Sequence, residues 1–423
     1  MSEARTRVFV ETHGCATNQA LGEYLEGRLQ EAGLRLVEDP RDADVLVLNT
    51  CTVKAQTERR MLRRIRELSQ VYPEKRLIVA GCMPTVQGDL VLSAAPKALT
   101  FGTYEYDQIP PAITGHRLET GRDLLPFHPV RPRRPGIRVI PISTGCNGVC
   151  SYCIVRLIKG RLRSYPVQKI VDEVERARRL GFHEVWLTAQ DLSSYGLDGG
   201  PLLPQLLSQV LDVAGRMKIR LGMMNPRTLA PILDQILPLF DDLRLYRFAH
   251  IPVQSGSNRV LEDMRRGYSA EEWLEVVSTF RRRDPNFAIS TDVIVGYPTE
   301  EEEDLAETVD LIRMSQCDIV NVSRYEHRPG TPASRLTQLP GHVVKRRSRL
   351  VSKVVAETML QANVRWVGWR GPCRVSEEAP RGGYLARNPY YKPVVLEDGC
   401  MMGEDVFVEV RAATQTCLIG ARS

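Results

Sequence analysis

The chain has 423 residues, 43% hydrophobic and 26% charged, with a net charge of +6. That is enough to bury a core in two or three domains, and the modest positive excess leans toward an anionic partner. Ten cysteines in a chain this long argue against a disulfide scaffold and for a reducing compartment where thiols serve metal sites. No span is long and apolar enough to cross a membrane, and Met1–Val10 lacks the apolar run of a signal peptide, so a cytoplasmic protein is expected.

The first hundred residues read as repeating strand–helix units. Val8–Val10, Val45–Leu48 and Leu77–Ala80 look like buried parallel strands, with helical patterns at Gly22–Ala32, Val53–Gln70 and Thr85–Ala95. The pattern predicts an open parallel α/β sheet. A cysteine sits just past each strand: Cys15, Cys51 and Cys82. Sites of parallel sheets lie beyond the carboxyl ends of the strands, so these thiols are expected to converge on one edge. A cluster with an open iron is the sharper reading. Three unrelated small buried residues is the alternative.

Leu124–Ile137 reads as a linker, with Pro126, Pro129, Pro132 and Pro135 at every third position favouring extended polyproline II. From Val139 to about Tyr325 the alternation resumes. Strands are predicted at Val139–Ser143, Glu184–Ala189, Ile219–Met224, Leu245–Ile251, Ala288–Val293 and Ile319–Tyr325. Six such units suggest a partial (β/α)6 barrel with its chemistry at the carboxyl ends of the strands.

The loop after the first of these strands holds Cys146, Cys150 and Cys153, spaced Cys-x3-Cys-x2-Cys. Three thiolates can hold three irons of a cubane [4Fe-4S] cluster and leave the fourth open to chelate S-adenosylmethionine (SAM). A zinc site or buried free thiols are the alternatives. Structural zinc wants a fourth Cys or His close by, and none lies in the next twenty residues.

His342–Glu357 reads as a helix bearing Lys345, Arg346, Arg347, Arg349 and Lys353. Beyond it, apolar alternations at Val364–Trp369, Cys373–Val375, Tyr384–Arg387, Pro393–Leu396 and Val406–Val410 predict a small antiparallel β barrel. The run Arg387–Lys392 looks exposed and pairs Tyr390 and Tyr391 with cations, as RNA-stacking surfaces do; ordinary packing is the alternative. Cys317, Cys373, Cys400 and Cys417 fit no cluster motif and read as structural.

The three-cysteine loop resembles that of the radical SAM superfamily, and the whole chain resembles the methylthiotransferase family. Gly14-Cys15 with Asn18 and Glu23, Asn49-Thr50-Cys51 and Ala80-Gly81-Cys82 are similar to its cysteine motifs. His250–Ser257 and Thr291–Pro298 are similar to its barrel motifs. Leu21 and Gly22 depart from the pattern, where an Asp-Ser pair often precedes the glutamate. The resemblance implies a methylthiotransferase N-terminal domain over 1–124, a linker over 125–137, a radical SAM domain over 138–360 and a TRAM-like barrel over 361–423.

The same resemblance implies two [4Fe-4S] clusters and SAM as cofactors. Cys146, Cys150 and Cys153 would serve the SAM-cleaving cluster, and Cys15, Cys51 and Cys82 an auxiliary cluster that delivers a methylated sulfur. Tyr152, Gln190, Ser255, Ile294 and Gly296 are the candidate SAM contacts, with packing as their alternative role. His250 either lines the same pocket or is a hydrogen-bonded core histidine. Expected partners are tRNA, an electron donor protein and a sulfur source.

Three substrate branches exist in the family: isopentenyladenosine in tRNA, threonylcarbamoyladenosine in tRNA, and an aspartate of a ribosomal protein. Leu187–Asp191, Arg328–Ala333 and Tyr391–Val394 look closest to the archaeal and eukaryotic threonylcarbamoyladenosine enzymes. That substrate carries a carboxylate, so a cation is expected at its pocket, from Arg156, Lys159, Arg161, Arg163, Arg324 or Arg328. A rival of another class is a non-catalytic metal-containing RNA-binding protein, which predicts metal without SAM cleavage; the open three-cysteine site argues against it.

Overall fold

The computed structural model describes residues 5–115, 127–128, 130–380, 382–397 and 399–423. The predicted linker residues Leu124, Leu125, Pro126 and Pro129 lie outside them. In the N-terminal domain, strands β1 (Arg7–Thr12), β2 (Arg35–Val37), β3 (Val45–Thr50), β4 (Arg76–Gly81) and β5 (Leu99–Phe101) form one parallel sheet in the order β2-β1-β3-β4-β5. Helices α1 (Ala16–Glu31), α2 (Ala55–Val71) and α3 (Cys82–Ala94) cover it. Every residue of β3 is buried, as expected of a central strand with cores on both faces. The two strands not foreseen, β2 and β5, are edge strands of three residues, too short to show a period.

The departure at Gly22 has a local cause. A Cβ on Gly22 would lie 2.2 Å from Oγ1 of Thr12, so α1 approaches β1 too closely there for any side chain.

All six predicted barrel strands are present: β6 (Ile137–Pro141), β7 (Glu184–Thr188), β8 (Lys218–Leu221), β9 (Phe248–His250), β10 (Ala288–Val295) and β11 (Ile319–Arg324). They form two parallel three-stranded ladders, joined by bridges between Ile219 and Leu245 and between Met223 and His250. Outward-facing residues such as Val185, Leu187 and Ile219 pack under the surrounding helices in the largest core. A short helix, α4 (Val155–Lys159), follows the cysteine loop, and a long one, α5 (Gly341–Val364), lies along β11 and β10.

Strands β12 (Arg370–Glu378), β13 (Tyr384–Arg387), β14 (Pro393–Leu396), β15 (Asp405–Ala413) and β16 (Leu418–Arg422) close into the expected small barrel. Its pairs are antiparallel except β14 with β16. Val364–Trp369 is not a strand. Helix α5 continues to Val364, and the apolar residues after it turn inward, with Trp366 in the barrel core. Cys317, Cys373 and Cys400 are buried, in keeping with structural roles.

The expectation of an exposed Tyr390–Lys392 surface is overturned. Tyr391 is 8% exposed and packs against Trp186, Tyr246 and Phe248, on the inward face of the six-stranded barrel. Arg387 and Arg220 stack on its ring. Lys392, 3% exposed, pairs with Asp318 at 3.2 Å, and the Tyr390 hydroxyl donates to Asp284 at 3.0 Å. Glu184, Asp284 and Asp318 stand at or before the starts of strands, so the small barrel plugs the end of the larger one opposite to the cysteine loop. The aromatic–cation pattern belongs to a seam between domains.

Candidate functional site

The N-terminal sheet delivers its three thiols as the spacing predicted, beyond the carboxyl ends of β1, β3 and β4. Helix α1 begins directly after Cys15, α2 four residues after Cys51, and α3 at Cys82 itself. Each thiol therefore sits by the positive end of a helix, where thiolate and bound anion are favoured. Gly81, at φ +96, makes the third turn possible: a Cβ there would meet the Thr50 carbonyl oxygen at 2.7 Å. Asn18 ties the loops together, donating to the carbonyls of His13 at 2.5 Å and Thr50 at 3.2 Å and to the Asn49 side chain at 3.2 Å.

Convergence of the three shows in their mutual effects. A Cβ on Gly14 would lie 3.2 Å from Cys51 Sγ. Hydrogen bonding between the Cys82 and Cys51 thiols lowers the pKa of Cys51 and raises that of Cys82. Cys15 is exposed, yet enough protein surrounds it to push its thiol pKa up.

The second domain reaches into this site. Ile154 and Ile158, just after the Cys146–Cys153 loop, pack on Cys82 and Val86. Lys159 ends the same helix at 6% exposure. Burial lowers its pKa, while the charges of Cys82, Cys15 and Cys51 raise it. Tyr104 of the N-terminal domain donates to the Lys159 carbonyl at 2.5 Å. Farther along the seam Arg328 pairs with Glu58 at 2.5 Å and Arg59 with Glu326 at 2.7 Å.

The Cys146–Cys153 loop is built around two glycines. Gly145, at φ +75, passes so close to Arg161 that a Cβ would lie 1.9 Å from its carbonyl oxygen. A Cβ on Gly148 would sit 3.2 Å from Cys146 Sγ and 3.8 Å from Cys150 Sγ, so these two thiols face one small space. Burial raises the Cys146 thiol pKa and pushes that of Cys153 up to about 12, so loading with metal must displace protons. Ser151 anchors the loop, its hydroxyl donating to the Asp263 carbonyl at 2.7 Å.

Arg266 went unnoticed in the sequence. At 6% exposure, it donates to Cys150 Sγ at 3.2 Å, Tyr152 Oη at 3.2 Å, Tyr268 Oη at 2.8 Å and the Pro252 carbonyl at 3.3 Å. No sequence signal marks it, because it stands 116 positions from Cys150 in the chain.

The other expected contacts divide. Tyr152 and Ile294 share one apolar cluster beside the loop. Gln190 sits at the domain seam, its Nε2 3.5 Å from Thr17 and its Oε1 buried without a partner among the described residues. Ser255 is buried and hydrogen-bonded to Thr308 at 3.3 Å. Gly296 makes room for a neighbour, since a Cβ would meet Val344 at 2.7 Å. His250 contacts Asp292 at 3.0 Å, which also accepts from Asn321 at 2.8 Å.

Among the described residues no Cys, His, Asp or Glu group is gathered tightly enough to hold a single metal ion. Two sets of three cysteines, free of disulfides, with glycine cradles and nearby cations, fit [4Fe-4S] clusters.

Comparison with known proteins agrees with this geometry. Residues 7–102 match the family described as "Uncharacterized protein family UPF0004", and residues 140–312 match the radical SAM superfamily. The "Probable threonylcarbamoyladenosine tRNA methylthiotransferase" of Archaeoglobus fulgidus is 40% identical over 423 residues, covering 98% of each chain. This chain belongs to the radical SAM methylthiotransferase family. A further member, from Pyrococcus abyssi, is 37% identical over 98% of this chain and 99% of its own. The human "Threonylcarbamoyladenosine tRNA methylthiotransferase" is 32% identical over 96% of this chain and 72% of its own.

Membership in this radical SAM family implies SAM and a [4Fe-4S] cluster. A radical SAM methyltransferase, TsrM from Kitasatospora setae, solved with cobalamin and a [4Fe-4S] cluster bound, shares the fold. It superimposes with a TM-score of 0.59 at 16% identity, over 78% of this chain and 74% of its own. No helix among the described residues is long and apolar enough to cross a membrane.

Proposed function

We propose that this protein inserts a methylthio group at C2 of N6-threonylcarbamoyladenosine next to the anticodon (position 37) of tRNA. The observation that carries this reading is the meeting of two three-thiol sites from different domains at one seam, with Lys159 of one domain buried beside the thiols of the other. The names and near-complete coverage of the relatives support the substrate.

When bound, the clusters and SAM supply one-electron cleavage to a hydrogen-abstracting radical and a methylated sulfur for transfer. The chain supplies the rest. Cys146, Cys150 and Cys153 hold one [4Fe-4S] cluster with an iron left open to SAM, and Cys15, Cys51 and Cys82 hold the second. Arg266 fixes Cys150 and Tyr152 in one orientation and sets a positive charge against the loop thiolates. Lys159 balances the negative charge of the auxiliary thiolates. The Arg328–Glu58 and Arg59–Glu326 pairs hold the two sites in register. Gln190, with an unpaired oxygen at the seam, is placed to meet SAM or the target nucleoside.

Six cations were candidates for the substrate carboxylate. Arg328 is committed to Glu58, and Arg156 donates to the Gly148 carbonyl at 3.4 Å. Lys159 is taken up by the auxiliary thiolates. Arg324, exposed at the carboxyl end of β11, has no carboxylate partner among the described residues, and we assign the anchoring role to it. An electron donor protein and a sulfur source complete the reaction in the cytoplasm.

The test is turnover on three substrates side by side: tRNA carrying threonylcarbamoyladenosine, tRNA carrying isopentenyladenosine, and the ribosomal protein. Methylthiolation of the first alone is expected. Preference for either of the others would sink the substrate assignment while leaving the radical chemistry standing.

A further inference from the structure

Helix α5 has two unlike faces. Val351, Val354, Val355 and Met359 pack into the barrel core, and Arg347 is buried in ion pairs with Glu300 and Glu302. On the opposite face His342, Lys345, Arg349 and Lys353 are exposed, spaced three or four residues apart along one stripe, with exposed Arg346 beside Lys345. Arg346 pairs with Glu302 at 2.5 Å. Lys345, Arg349 and Lys353 have no hydrogen-bond or ion-pair partner among the described residues. Like charges at this spacing oppose helix formation.

The stripe has a definite place. The first turn of α5 lies against Gly296, just past the carboxyl end of β10, and so begins at the barrel edge that carries the cysteine loop. Its other end meets the small barrel, where Asn363 donates to the carbonyls of Thr414 at 2.8 Å and Gln415 at 3.1 Å. From His342 to Lys353 the stripe runs about 16 Å down the outer wall.

We propose that this stripe is a docking track for the phosphate backbone of the tRNA whose modified nucleoside enters at the barrel edge. The proposal rests on the tRNA reading given above. Lysine offers a mobile point charge and arginine a planar fork, both suited to phosphodiester oxygens. Evenly spaced cations on a convex helix face contact a backbone and position it without reading bases. The burial of Tyr391 and Lys392 in the seam between domains removes the aromatic surface that the sequence offered for RNA.

The test is the K345E/R349E/K353E variant, measured for tRNA binding across a salt series. A second variant, K169E/R178E/R179E, reverses three exposed charges on the helix Val167–Arg179 and matches the change in net charge. At moderate salt the α5 variant should bind tRNA about tenfold or more weakly, with a salt slope shallower by about two to three, as expected for three lost phosphate contacts. Iron content and SAM cleavage without tRNA should match the unaltered protein. Unchanged affinity and slope would overturn the track, as would an equal loss in the second variant. No tRNA binding by the unaltered protein would sink the tRNA reading itself, and the track with it.

Discussion

Arg266 spreads four donors between a loop thiol, two tyrosines and a backbone carbonyl, and its charge is nearly sealed from water. Cations and N–H groups aimed at cluster sulfurs favour the reduced state, so removing them makes reduction harder. Arg266→Gln should lower the midpoint potential of the SAM-binding cluster by an amount of the order of 59 mV for each tenfold in the electron-transfer equilibrium. The measurement belongs in a background lacking Cys15, Cys51 and Cys82, so that one cluster is seen alone. Arg266→Lys should recover part of the shift, since it keeps the charge and loses the fork. An unmoved potential in Arg266→Gln would leave Arg266 a packing residue. This residue also marks what the sequence hides. Cys146, Cys150 and Cys153 announce themselves by spacing, whereas Arg266 reaches Cys150 only because the chain folds back after β9.

At the scale of elements, the strands of both α/β domains were legible as apolar runs between turn residues, except β2 and β5, edge strands of three residues that show no period. The two misread segments share one cause: local pattern does not say what lies opposite. Val364–Trp369 alternates like a strand, yet Trp366 is needed in the barrel core and the helix runs up to it. Arg387–Lys392 reads as a wet aromatic–cation surface, yet Trp186, Tyr246 and Phe248 wait across the seam. The two roles of that segment separate cleanly by measurement. Tyr391→Ala should cost about 3–5 kcal/mol, as large aromatic truncations in packed cores do. It should lower the thermal midpoint and leave tRNA affinity of the folded protein nearly unchanged. A stacking surface would behave in the opposite way, with weaker binding and an unaltered midpoint.

At the scale of the whole molecule, the two thiol sites belong to separate domains but share a wall. Helix α4 follows one cysteine loop and lays Ile158 and Lys159 against the other site, so the auxiliary cysteines touch the second domain through packing and charge together. Replacing Cys15, Cys51 and Cys82 by Ala should remove about four irons, one cubane's worth, and abolish methylthio transfer. Deoxyadenosine formation should persist, because the proposed SAM site keeps its own cysteines and Arg266. The same variant strands the Lys159 ammonium without its thiolates, and a buried charge deprived of its partners is costly. It should therefore be less stable than the loss of three small side chains explains. Adding Lys159→Met, which keeps the stem and removes the charge, should restore much of the thermal midpoint. If the fourth substitution lowers stability further, the charge of Lys159 is balanced elsewhere and the shared wall is apolar contact alone.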